Sequence, residues 1–125
     1  MARTPNFEVS VNTTANQLRV RLSGAIDAKC MKACVDEVAL QLPALHLGFK
    51  SFTDLGGIQS MDTACIPDVE RLMDLCREKG VGTVVRLIPK HSKDVGFNIL
   101  SFFHYPPKVH IVTCATQAEA ERALA

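Results

Sequence analysis

The sequence predicts an α/β domain with a mixed, mainly parallel sheet of about five strands and about four helices, and three observations lead to that prediction. Short apolar runs of strand character take turns with amphipathic runs of helical period along nearly the whole chain. The helical runs are bounded by residues that start or stop helices. The 125 residues contain no repeat, linker or low-complexity stretch, so a single domain over 1–125 is expected.

The elements follow in order. Phe7 to Asn12 alternates, with Phe7, Val9 and Val11 on one side, and Gln17 to Ser23 places Leu18, Val20 and Leu22 opposite Arg19 and Arg21. A polar stretch separates them, so they read as a hairpin near a sheet edge. Asp27 is a good N-cap for a helix from Ala28 to Leu42, where Met31, Cys34, Val35, Val38 and Leu42 form the apolar stripe and Pro43 ends it. Leu45 to Phe52 is apolar enough for a strand, and Asp54-Leu55-Gly56-Gly57 reads as a turn by composition. A second helix carries Ile66, Val69, Leu72, Met73 and Cys76 on one face and stops at Lys79-Gly80. Thr83 to Ile88 is a buried strand; Ser92 caps a helix to about Phe103; Val109 to Thr113 is a further strand. Thr116 with Glu119 forms a capping box for a closing helix over Gln117 to Leu124.

Composition narrows the function classes. With 47% hydrophobic and 22% charged residues, the chain can bury roughly two thirds of its unfolded surface without a metal or disulfide framework. A net charge of +1 supplies no field to concentrate nucleic acid or an anionic membrane. No apolar run reaches the roughly 20 residues of a membrane span, and the first twelve residues lack a signal-peptide core, so the cytoplasm is the expected location. Five cysteines are an odd number, which favours reduced thiols. Cys30 and Cys34 share a helix face without CxxC spacing, and no metal or cofactor is expected.

Two motifs carry a family resemblance. Leu22-Ser23-Gly24-Ala25-Ile26-Asp27 resembles the L-x-G-x-I/L-D strand end of STAS domains, the module of bacterial anti-sigma-factor antagonists. Asp54-Leu55-Gly56-Gly57-Ile58-Gln59-Ser60-Met61-Asp62-Thr63-Ala64-Cys65-Ile66 resembles the family's D-L-S-G-V-x-x-I/M-D-S-S-G-L. Thr116-Gln117-Ala118-Glu119-Ala120 is similar to its T-x-E-E-A. The resemblance implies a STAS-like fold over nearly the whole chain. It also implies a regulatory site at the start of the second helix, formed by Asp27, Asp62, Thr63, Ala64, Cys65 and Ile66.

In the family the second serine of D-S-S-G-L accepts phosphate. Ala64 stands at that position and has no hydroxyl, which leaves Thr63 as the candidate acceptor, turned by roughly 100 degrees around a helix start. Pro67 removes an amide from the first turn, so the helix is expected to begin near Ala64 to Ile66. Capping alone would also explain Asp27, Asp62 and Thr63. Cys65 is the one thiol placed where a helix N-terminus could make it reactive; the plainer reading is a small buried residue in place of glycine. Phe102, Phe103 and Tyr105 form a candidate hydrophobic surface, because adjacent residues cannot both face one core.

The resemblance therefore implies a non-enzymatic cytoplasmic signalling or scaffold module that binds a protein through Asp62 to Ile66. The partner class is an anti-sigma-factor-like kinase or another STAS protein, with a homo-oligomer as a further option. Two alternatives stand beside it: a small-molecule or lipid-binding STAS-like domain using the stretch from Phe97 to Tyr105, and an enzyme using Asp62, Thr63 or Cys65. The scattered His46, His91, His104 and His110 supply no ready-made catalytic group for the latter.

Overall fold

The computed structural model describes residues 3–88 and 109–125. In chain order the elements are β1 (Asn6–Asn12), β2 (Gln17–Ile26), α1 (Ala28–Gln41), β3 (Lys50–Met61), α2 (Ile66–Lys79), β4 (Thr83–Leu87), β5 (His110–Cys114) and α3 (Gln117–Leu124). Single 3-10 turns occupy Leu42–Ala44 and Thr63–Cys65. The helix expected from Ser92 to about Phe103 lies outside the described residues, as does the surface expected at Phe102, Phe103 and Tyr105. Among the described residues no helix is long and apolar enough to cross a membrane.

The five strands stand in the order β1-β2-β3-β4-β5. β1 runs antiparallel to β2, and each later neighbour pair is parallel, which makes the sheet mixed and mainly parallel as expected. Parallel strands laid down in sequence order require crossovers of one hand, which puts α1 and α2 on the same face. That face holds the larger core: Leu18, Val20 and Leu22 of β2 meet Met31, Val35 and Val38 of α1 and Val69 and Leu72 of α2. The opposite face holds a smaller one, in which Phe52, Val85, Leu87 and Cys114 pack against Ala120 and Leu124 of α3.

Local chemistry explains the helix ends. The Asp27 carboxylate accepts from the Cys30 N–H at 2.8 Å and starts α1. Gly80, at φ 92°, closes α2 by donating its N–H to the carbonyls of Cys76 and Arg77. Thr116 caps α3 through the Glu119 N–H at 3.2 Å. Between α1 and α2, the Arg71 guanidinium reaches the Asp36 carboxylate and the Lys32 carbonyl, fastening the two helices across their exposed seam.

Two expectations are corrected. The strand expected from Leu45 to Phe52 begins only at Lys50: Leu45 and Phe49 are buried, but as parts of a connection that reverses at Gly48, at φ 83°. Its apolar character reflects burial rather than strand geometry. The turn expected at Asp54 to Gly57 lies inside β3, and β2 likewise runs on to Ile26. Here the Asp54 carboxylate bonds the N–H of Gly56 two residues on at 2.9 Å, as it would in a turn. Its other oxygen accepts from Arg21 Nε at 3.2 Å. The result is a bulge, with a register shift between Arg21 and Ser23; a second shift follows between Gly24 and Ala25.

Gly24 sits at φ 79°, and a Cβ there would stand 2.2 Å from the Thr4 carbonyl oxygen. Gly24→Ala combines backbone strain with that overlap, so a loss of at least ~1–3 kcal/mol is expected in urea unfolding. Asp54→Ala leaves the Gly56 N–H unpaired in the bulge; an expected loss of about 1–3 kcal/mol, read the same way, checks the carboxylate's role.

Candidate functional site

The carboxyl ends of β2 and β3 are paired, Ile26 opposite Met61. Asp27 and Asp62, the residues that follow each strand, therefore leave the sheet side by side, and the Asp62 N–H donates to the Ile26 carbonyl at 3.0 Å. Each carboxylate caps its own element. Asp62 accepts from the Ala64 N–H at 2.8 Å, and its carbonyl accepts from the Cys65 N–H at 2.9 Å, which folds Thr63–Cys65 into a 3-10 turn. α2 proper starts at Ile66, with Pro67 in its first turn, where the missing amide costs nothing. The later start expected from Pro67 is what the structure has.

The six sequence-predicted residues are thus contiguous in space, in two layers. Asp27, Asp62, Thr63 and Ala64 are exposed, Ile66 is half-buried against the larger core, and Cys65 points inward and is fully buried. Cys65 Sγ lies 3.7 Å from the Ile26 carbonyl, its hydrogen-bond acceptor. Burial, and then the negative charges of Asp62, Asp27 and Asp68, push its thiol up to about 11. This corrects the reading of Cys65 as a reactive thiol: a helix start favours a thiolate only where it is accessible and cations surround it, and here three carboxylates do. The plain reading, a small buried residue in the glycine position, holds.

The sequence reading missed two contributors. Asp68, in the first turn of α2, adds a third carboxylate to the same neighbourhood, though its acidic place in a first turn was readable. The N-terminal strap was not: the Arg3 carbonyl accepts from the Ala25 N–H at 3.1 Å and its N–H donates to Gln59 Oε1 at 2.7 Å, bracing the ends of β2 and β3. Its only trace in sequence is Gly24, which lets that backbone approach. On the opposite face of the sheet lies a polar groove of about 210 Å³, lined by Glu8, Ser10, Arg19, Arg21, Phe52 and Asp54; none of the six residues above borders it. Among the described residues no three His, Cys, Asp or Glu side chains are grouped to hold a metal ion.

Comparison with solved structures decides the fold. An uncharacterised protein of the DUF3478 family from Shewanella loihica, described as having a SpoIIAA-like fold, superposes with a TM-score of 0.69 over 100% of this chain and 98% of its own, at 8% identity. The fold is SpoIIAA-like. The Bacillus cell-fate determinant SpoIIAA in its phosphorylated form matches at a TM-score of 0.62 and 16% identity, over 96% of this chain and 100% of its own. An anti-sigma factor antagonist from Mycobacterium paratuberculosis matches at 0.56 and 17%, over 95% and 94%. No protein-family model and no curated protein matches the sequence. The SpoIIAA-like architecture is the STAS arrangement that the motifs resemble, reached from shape at low identity.

Burial also raises the thiols of Cys34 and Cys76, each to about 12 from 9.0. Unfolded thiols ionise near pH 9 and these do not, so the unfolded state holds fewer protons above that pH. Stability from this source is complete below about pH 9 and is lost as pH rises through about 11–12. The urea midpoint is expected to stay level to pH 8.5 and then fall, less steeply in Cys76→Ala. In the native protein at pH 8, iodoacetamide is expected to leave Cys65 unmodified, as peptide mass mapping would show.

Proposed function

We propose that this chain is a non-enzymatic signalling or scaffold module, anti-sigma-factor-antagonist-like, that docks a protein partner through Asp62 to Ile66 and the first turn of α2. The observation that carries this reading is the exposed Asp62-Thr63-Ala64 turn, set beside Asp27 on adjacent strand ends and followed by half-buried Ile66. Such a turn offers a rigid charged rim next to an apolar side chain, the usual make-up of a small docking surface. The SpoIIAA-like fold supports it, since two proteins of that fold are described as anti-sigma factor antagonists.

Chemistry specifies the partner further. Asp27, Asp62 and Asp68 make the surface acidic, so a basic patch fits it, on an anti-sigma-factor-like kinase or on another STAS protein. With no hydroxyl at Ala64, docking is constitutive unless Thr63 takes the phosphate. Thr63 is exposed and next to the family position. A phosphate there adds about −2 of charge and new bulk at the docking turn, enough to change the fit of the partner.

Asp27→Asn and Asp62→Asn separate charge from structure, because asparagine caps a helix about as well as aspartate. Both variants are expected to keep the wild-type melting temperature and to weaken co-purification with a candidate anti-sigma-factor-like kinase severalfold, the more so at low salt. Unchanged binding in both would overturn the docking site, as would recovery of a tightly held small molecule with no protein partner. Incubation with kinase and ATP is expected to place phosphate on Thr63; phosphate only elsewhere removes the switch.

A further inference from the structure

β1 is the antiparallel edge of the sheet, and its backbone polarity can be read from the register. The Lys50 N–H takes the Asn16 carbonyl at 3.1 Å, which turns Leu18 and Val20 toward β3 and leaves Gln17, Arg19 and Arg21 to bond β1. Their partners Asn12, Ser10 and Glu8 use their amides on that ladder. Phe7, Val9 and Val11 therefore aim their N–H and C=O groups away from the sheet.

Such a row is a template for another strand. Here it is self-complementary. Two copies related by a twofold axis through Val9 would set Val9 opposite Val9, Phe7 opposite Val11, Glu8 opposite Ser10 and Asn6 opposite Asn12, with no like charges face to face. The two central bonds of that pairing would run between the Val9 N–H and the Val9 carbonyl of each copy.

On that outward side the carbonyl already accepts a bond from a side chain of this chain. Gln41, the last residue of α1, donates from Nε2 to the Val9 oxygen at 3.1 Å and to Glu37 Oε1, one helical turn back, at 2.8 Å. Both hydrogens of the amide are used, so Glu37 fixes the direction in which Gln41 points. The side chain crosses from a packed helix to the midpoint of the edge strand, where it has no part in the core. We propose that Gln41 is an edge guard, whose amide closes β1 to a second copy of this chain by occupying the Val9 carbonyl. This goes beyond the docking surface above, which lies at the other end of α1.

The test is sedimentation velocity over a wide concentration range, with circular dichroism to confirm folding. Gln41→Met keeps the length of the side chain but cannot donate, and is expected to dimerise roughly tenfold or more tightly than the wild type. Gln41→Ala provides the same reading should the longer variant misfold. Adding Val9→Pro removes the outward N–H, which an edge strand tolerates, and trims the packing of Val9 against the larger core; with folding confirmed, it is expected to return the protein to wild-type behaviour. Gln41→Lys, which restores a donor, is expected to behave as wild type. If neither Gln41→Met nor Gln41→Ala associates more than the wild type, the guard is overturned. Association that survives Val9→Pro overturns it too, because another surface must then carry the contact.

Discussion

The geometry at the carboxyl end of the sheet depends on how β2 and β3 keep step. Between the pairs Arg21–Asp54 and Ile26–Met61, β2 advances five residues while β3 advances seven. One residue of the surplus is absorbed where Asp54 holds Gly56 with one carboxylate oxygen and Arg21 with the other, and the second where Gly24 and Ala25 face Ile58 and Ser60. Without these two shifts, Asp62 would leave the sheet two residues out of phase with Asp27, about 7 Å along the strand. Two caps that now form one surface would then be unrelated ends. Arg21 is well exposed, so its ion pair adds little by itself; the short Asp54 bond inside the bulge is the stronger constraint.

Most of the architecture was legible from the sequence because local signals and tertiary context agree. Asp27 and Thr116 cap helices as their residue types suggest, Leu18, Val20 and Leu22 face the larger core while Arg19 and Arg21 do not, and Pro67 delays α2. The failures share one cause. Asp-Leu-Gly-Gly has the composition of a turn, and the bond it forms is a turn bond, but flanking strands on both sides stretch it into a bulge. Leu45 and Phe49 look like strand because they are buried, and burial alone does not set backbone direction.

The candidate site was legible to the same depth and failed for a related reason. The family resemblance implied that Asp27 lies beside Asp62, and the two do meet, since each follows a strand end and the strands are neighbours. The character of Cys65 could not be read that way. Its environment comes from Asp27 at the start of α1, Asp68 in the first turn of α2 and the depth at which its side chain lies, and only the fold assembles these. Likewise Arg3 and Gln59 meet only because Gly24 allows a backbone to pass over it.

The cysteines have a consequence for the chain's life outside the native state. Cys34, Cys65, Cys76 and Cys114 are buried and Cys30 is half-buried, with all five free. Folding thus protects thiols that lie scattered through two separate cores. Once the chain opens, five unshielded nucleophiles share one short polypeptide, and in air they can join in pairs that the native fold never brings together. Loss of structure then passes from a reversible equilibrium to a covalent trap, so the lifetime of the protein under oxidising conditions is set by its rate of opening.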